Sequence, residues 1–198
     1  DISINGGTFD QLTILVNGIA INNPQTGHNA ADFPLNLADI ERIEVLEGAA
    51  SRVLGTQAFS GAINIVTRQV GPTFYARAAG GSYGTAQGEA RGLFRHQFSN
   101  GNLFTSSLSA GYQRSDGAVR NGDFKGGKAF WQGSLDAAQY KVDAQAGYTN
   151  TDFGANTFYS IASTDQWEST TRYLASVKAE TKGKIHIVPQ ISWLRNYD

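Results

Sequence analysis

The chain has 198 residues, 40% of them hydrophobic and 17% charged, with a formal net charge of −1 and no cysteine. That is too apolar for disorder and enough for one large domain or two small ones. It rules out disulfides and thiolate metal sites, and the near-zero charge gives no support for nucleic-acid binding, which needs a basic face.

There is no methionine, so the chain is expected to begin after processing or trimming, and no signal peptide is visible. No apolar run approaches the roughly 18 to 20 residues of a spanning helix, which excludes a helical membrane protein. It does not exclude a membrane β-barrel, whose alternating strands leave a weak hydropathy signal.

Up to residue 70 the apolar residues come in short continuous runs. Residues 12–16 read as a strand, Asn17-Gly18 as a type I′ turn, and residues 19–21 as the return strand. Residues 34–40 read as a short turn or helical piece, with Asn36 and Asp39 as candidate caps. Residues 43–46 and 62–67 read as strands, and 49–54 as a helical turn and a half stopped by Gly55. The expectation is a small α+β unit whose strands are buried on both faces.

The stretch from Gly48 to Gly61 raises the question of phosphate binding. Gly55 is followed by Thr56-Gln57, not Lys-Ser/Thr, and the glycine spacing does not match a dinucleotide fingerprint. The glycines suit tight turns and close backbone approach instead. Arg42, Glu44, Glu47 and Arg52 alternate with apolar residues, giving one ionic and one packed face.

After Gly71 the period becomes two. Phe104, Leu108, Ala110 and Tyr112 oppose Thr105, Ser107, Ser109 and Gln113; Val142 and Ala144 oppose Lys141, Asp143 and Gln145; Tyr173, Ala175 and Val177 oppose Leu174, Ser176, Lys178 and Glu180. Residues 185–193 alternate in the same way, with Ile187 and Ile191 opposite His186 and Gln190. Each run is about ten residues, the length a tilted strand needs to cross a bilayer. Connections at 99–102, 137–139 and 182–183 are short, and those at 116–127 and 153–170 are long. Aromatic residues gather near strand ends, as interfacial girdles do. A soluble sandwich also alternates, but its core favours Val, Ile and Leu. Here the apolar faces carry many Ala and Gly, and the opposite faces carry mid-strand charges, which favours a barrel.

The segments ILVNG (14–18), DIERIEVLEG (39–48) and RVLGTQAFSGAINIVTR (52–68) resemble the plug domain of TonB-dependent outer-membrane receptors, and the strands after them resemble the start of the receptor barrel. NNPQTGHN (22–29), followed by Asp32-Phe33-Pro34, looks most like the receptors grouped with cobalamin transporters. Two departures are Asn5, where the family usually has Arg, and Ala49, where it usually has Pro. The resemblance implies an outer-membrane antiparallel β-barrel with a small α+β plug. Residues 1–70 would be the C-terminal part of the plug, and residues 71–198 the first strands, about seven, of a barrel of about 22. The chain is therefore expected to be an internal piece of a larger receptor.

The implied activity is energised uptake: ligand binds outside, the TonB energising complex transmits force, the plug rearranges, and no bond in the ligand is broken. A passive porin has no need of a plug, and an enzyme has no catalytic constellation here. The implied ligand is a scarce large nutrient, with cobalamin, siderophores, haem and glycans all open. Implied partners are the TonB complex, the rest of the barrel, outer-membrane lipid and a surface lipoprotein.

With that resemblance, Asn22, Asn23, Gln25, Thr26, His28 and Asn29, with Asp32, become an apical loop whose amides suit a large polar ligand. Tyr159 and Trp167 in the second long loop are candidates to stack on a flat ligand. Arg42, Glu44, Glu47 and Arg52 are candidate ionic contacts between plug and barrel. Asp116 and Asp123, in the first long loop, are candidate calcium ligands by the same resemblance, though they form no EF-hand pattern and Arg120 and Lys125 oppose it.

Overall fold

The computed structural model describes residues 12–22, 33–47, 61–157, 160, 162 and 164–197. The chain divides into two units. One comprises residues 1–33 and 40–68, the other Pro34–Asp39 together with residues 69–198.

The first unit holds a four-stranded sheet. Its strands are β1 (Leu12–Val16), β2 (Ile19–Ala20), β3 (Ile40–Glu47) and β4 (Gly61–Thr67), in the order β2-β1-β4-β3. All five residues of β1 are buried, as a continuous apolar run in a central strand should be. The hairpin turn forms as expected: Asn17 and Gly18 take φ of 51° and 82°, the positive pair that a type I′ turn requires. The Asn17 side chain is also tied to β4, accepting from the Thr67 N–H at 2.9 Å and donating to the Thr67 hydroxyl at 2.8 Å.

One expectation fails in this unit. β3 lies at the sheet edge, and Ile43 and Val45 are 58% and 56% exposed. Its continuous apolar run indicated burial on both faces, but composition alone does not tell a central strand from an edge strand.

The second unit is built on a seven-stranded meander in which every strand is antiparallel to its neighbour in sequence. The strands are β5 (Phe74–Gly80), β6 (Ala86–Gln97), β7 (Leu103–Ser115), β8 (Phe124–Asp136), β9 (Tyr140–Gly154), β10 (Trp167–Thr181) and β11 (Gln190–Tyr197). The face assignments read from the sequence hold. Leu108 pairs with Trp131, Ala129 with Tyr148, and Val177 with Ile191 on the apolar face. Ser109 pairs with Phe130, Gln132 with Gln145, and Lys178 with Asp143 on the other.

The burial is inverted relative to a soluble sandwich. Arg91, Ser107, Ser109, Gln132, Thr149 and Arg172 are buried, whereas Leu108, Tyr112, Phe94, Val177, Ile191 and Trp193 are exposed. A sheet that hides its polar face and shows an apolar one is built for lipid. The exposed aromatics form two groups. Tyr173 lies 5.2 Å from Tyr148 and 6.3 Å from both Trp193 and Tyr197, while at the other strand ends Phe94, His96, Phe98 and Phe104 stack in series. Phe104 and Tyr112 are eight residues apart on β7, about 27 Å along the strand, or roughly 20 Å across the bilayer at the tilt of such strands, somewhat less than the apolar band of about 25 Å in an outer-membrane barrel.

The strands of β7 to β10 run to 13 or 15 residues, longer than the ten expected. The first long connection shortens to 116–123 and the second to 155–166. The extra pairs, such as Thr171 with Asn150 and Ser169 with Asp152, are polar on both faces and so carry no alternation to read. Conversely, the turn expected at 182–183 widens to 182–189. Pro189 has no N–H to give the ladder, so β11 starts only at Gln190. Residues 185–189 stay extended beside β10 through Thr181 N–H to Ile187 O at 3.1 Å and Ala179 N–H to Pro189 O at 3.0 Å.

Candidate functional site

In the first unit, the β1–β2 hairpin delivers the chain to the loop that begins at residue 22. Asn22 makes two bonds that tie it to β1: its Nδ2 donates to Leu12 O at 2.7 Å and its Oδ1 accepts from the Ile14 N–H at 2.8 Å. Asn23, Gln25, Thr26, His28, Asn29 and Asp32 lie outside the described residues. Replacing Asn22 by Ala removes two hydrogen bonds of about 1 kcal/mol each. Exchange of the Ile14 amide should then quicken by roughly tenfold or more, and unchanged exchange would remove the tie from the account.

The ionic face of β3 closes on itself. Arg42 reaches Glu44 at 2.7 Å and Glu41 at 3.0 Å, and Asn64 on β4 donates to Glu44 at 2.8 Å. The Asn64 bond, with that of Arg42, holds the Glu44 carboxyl below its ordinary value. These described partners all lie within the first unit. Glu47 is exposed, and Arg52 lies outside the described residues. Such solvated pairs contribute little to stability.

In the second unit, the connections 81–85, 116–123 and 155–166 emerge on one side of the sheet and are laced together. Asn121, at φ 53°, donates through Nδ2 to Thr164 O at 3.0 Å and Gln166 O at 2.6 Å, and its carbonyl accepts from the Asn156 N–H at 3.2 Å. The Asn156 amide donates to Arg120 O at 2.7 Å, and Arg120 faces Asp165 at 3.3 Å. Asp116 is paired with Arg114 at 2.5 Å, while the backbone carbonyl of Asp123 accepts from the Gly154 N–H at 2.8 Å. Among the described residues no three acidic or histidine side chains converge as a metal site would need. Trp167 opens β10, half exposed, and Tyr159 lies outside the described residues.

The second unit also contains a buried polar cluster that sequence reasoning did not assemble. Pro34 precedes a 3₁₀ turn at Leu37–Asp39. Asp39 Oδ2 accepts from the Asn36 N–H at 3.0 Å, as a residue closing a short helical turn can, and from the Ser109 hydroxyl at 2.5 Å. Asp39 Oδ1 lies 3.6 Å from Arg91 Nε, and both side chains are almost wholly buried. The Asn36 amide donates to Ser109 Oγ at 2.8 Å, and the Ala38 N–H donates to Glu89 at 3.3 Å. Burial pushes the Asp39 carboxyl above its ordinary value, and the opposing pull of Ser109, Asn36 and Arg91 does not cancel it. Asn36 stands at the cap position expected of it, but its side chain serves β7 rather than its own turn.

Two kinds of comparison bear on this geometry. Residues 1–62 match the family described as the TonB-dependent Receptor Plug Domain. Behind that match comes a sheet whose lipid-type face and polar face are those of an outer-membrane barrel. The match covers less than half of the chain and, with the sheet behind it, supports a fragment of a TonB-dependent receptor. Receptors of this family are outer-membrane proteins.

The receptor chain is 28% identical over 116 residues to the vitamin B12 transporter BtuB of Vibrio vulnificus, and 34% identical over 83 residues to that of Photobacterium profundum. These matches cover 59% and 41% of this chain but only 18% and 13% of the relatives. Among solved structures, the pyoverdine receptor FpvA of Pseudomonas aeruginosa PAO1 superposes with a TM-score of 0.72 at 16% identity, over 98% of this chain and 31% of that one. The siderophore receptor PiuA of Acinetobacter baumannii gives 0.70 at 15%, over 98% and 30%. At such identities the structural likeness speaks for the fold alone.

Proposed function

We propose that this receptor binds a large, scarce nutrient at the cell surface and imports it by TonB-driven rearrangement of its plug, and that the nutrient is cobalamin. The observation that carries the ligand reading is the sequence likeness to two vitamin B12 transporters at 28% and 34% identity. The siderophore receptors share the fold at 15% and 16% identity. The chemistry is binding and translocation: the polar groups brought together here are spent on backbone and on one another, and the relatives are transporters and receptors rather than enzymes.

In this reading residues 23–32 form the ligand-facing loop, with Gln25 and His28 supplying polar contacts and Asn22 holding the base. Tyr159 and Trp167 offer stacking surfaces from the connection before β10 and from its first residue. Arg42, Glu44, Glu47 and Arg52 are assigned to ionic contacts between plug and barrel, and Asp116 and Asp123 to calcium with further oxygen ligands from outside the described residues. The partners are the TonB complex, the remaining barrel strands, outer-membrane lipid and a surface lipoprotein.

Each lost polar contact should cost on the order of 1 kcal/mol. Gln25→Ala with His28→Ala is therefore expected to weaken cobalamin binding by about ten- to a hundredfold while the barrel still folds. Titration calorimetry of the complete receptor measures this. Binding of a siderophore, haem or a glycan without any corrinoid would move the receptor to another ligand class. Unchanged affinity in the double variant would take the loop out of the site.

A further inference from the structure

We propose that Pro34–Asp39 is a fixed anchor, seated in a socket of the strand wall, that stays in place while the plug segments on either side of it rearrange. The six residues fall inside the stretch that matches the plug family, yet in the fold they group with the seven-stranded sheet, while residues 1–33 and 40–68 form the other unit. Sequence assigns them to the plug and packing assigns them to the wall.

The socket is cut to shape. A Cβ added at Gly147 on β9 would lie 2.9 Å from Pro34 Cβ, and one added at Gly111 on β7 would overlap the side-chain oxygen of Asn36. Neither glycine has a positive φ. Space for the anchor, not backbone conformation, is therefore what these positions require.

Over this seat lies the polar lock. Asp39 takes the Ser109 hydroxyl and faces Arg91, Asn36 reaches Ser109, and Glu89 receives the Ala38 N–H. Interactions from β6, β7 and β9 thus hold one short turn from three strands. A buried cluster of this kind favours one arrangement, because moving the turn breaks its bonds to Ser109 and Glu89 together. Immediately beyond the anchor, β3 begins with a register irregularity between Ile40 and Arg42, a place where a strand bends. The anchor thus gives way to a bend where the other unit begins.

The functional half of this inference rests on the transport reading above; the docking half does not. Hydrogen exchange of the complete receptor in detergent, at urea concentrations that open the plug, tests the docking. The amides of Asn36, Ala38 and Asp39 should exchange within about tenfold of those of β6 and β7, and at least a hundredfold more slowly than those of Leu15 and Ile65. Opening together with Leu15 and Ile65 would overturn the anchor. Gly147→Leu should release the three amides without changing the exchange of β10.

A second variant tests whether the seat holds during uptake. Pro34→Cys with Gly147→Cys sets two Cβ positions 2.9 Å apart, so a shift of about half an ångström brings them to the roughly 3.5 to 4.5 Å of a disulfide, in a chain with no cysteine of its own. The bond should form on oxidation, and cobalamin uptake by oxidised and reduced cells should agree within about twofold. Uptake lost more than tenfold on oxidation and restored by a reductant would overturn the proposal. If neither form imports cobalamin, the ligand reading fails, and the exchange experiment alone decides the anchor.

Discussion

A receptor carrying Val177→Arg should reach the outer membrane in a folded state far less often than one carrying Lys178→Ala. Val177 is 51% exposed on the apolar face, paired with Ile191 on one side and Ala144 on the other. Lys178 points the other way, opposite Asp143. An Arg at mid-bilayer on the lipid face costs roughly 2 to 4 kcal/mol, whereas shortening a lysine on the polar face removes little. Heat-modifiable mobility of the extracted receptor reports the folded fraction. Equal folded yields for the two variants would mean that the faces are assigned wrongly.

The second large effect is at Asp39. Asp39→Ala takes a carboxylate from beside the buried Arg91 guanidinium and removes the Ser109 and Asn36 bonds. Breaking a buried pair in this way costs roughly 3 to 5 kcal/mol, which should release the 34–39 turn from the wall. The pH dependence has the opposite sign from that of an ordinary surface carboxylate. Because burial raises the folded-state pKa of Asp39, its contribution is complete below the unfolded value, about 4, and is lost as pH rises through the raised folded value. Glu89 adds to the rise, while Arg91 and the hydrogen bonds from Ser109 and Asn36 oppose it. The turn should therefore loosen as pH rises from about 4. Asp39→Asn, neutral throughout, should flatten that dependence. Intrinsically corrected exchange of the Ala38 amide measures both, and tightening with rising pH would contradict the desolvation argument.

Much of this was legible in the sequence because the physics there is local. Asn17-Gly18 demands a tight hairpin, and the alternation of Leu108, Ala110 and Tyr112 against Ser107 and Ser109 fixes a register whose one-residue slip would turn every side chain over. What was not legible depends on partners far away in the chain. The seat of Asn36 and Asp39 on Ser109 spans 73 and 70 residues, and nothing near Asp39 announces that its carboxylate is buried. The one available signal was the pair of glycines at 111 and 147 on faces otherwise filled by polar side chains. The bonds of Asn22 to β1 were not legible either, because an amide that serves its own backbone looks, in sequence, like one that serves a ligand. The exposure of β3 was hidden for a similar reason: an apolar strand reads alike whether or not another strand lies beside it.

The account stands on the sheet being a membrane wall with opposite chemistry on its two faces. Nitroxide labels at Ser176→Cys and Val177→Cys, introduced singly into the complete receptor in lipid vesicles, test this at two adjacent residues. Ser176 is buried on the polar face and Val177 is exposed on the apolar one. The label at 177 should be relaxed strongly by oxygen and hardly at all by a water-soluble nickel chelate, and the label at 176 should show low accessibility to oxygen. High oxygen accessibility at 176 with low oxygen accessibility at 177 would contradict it.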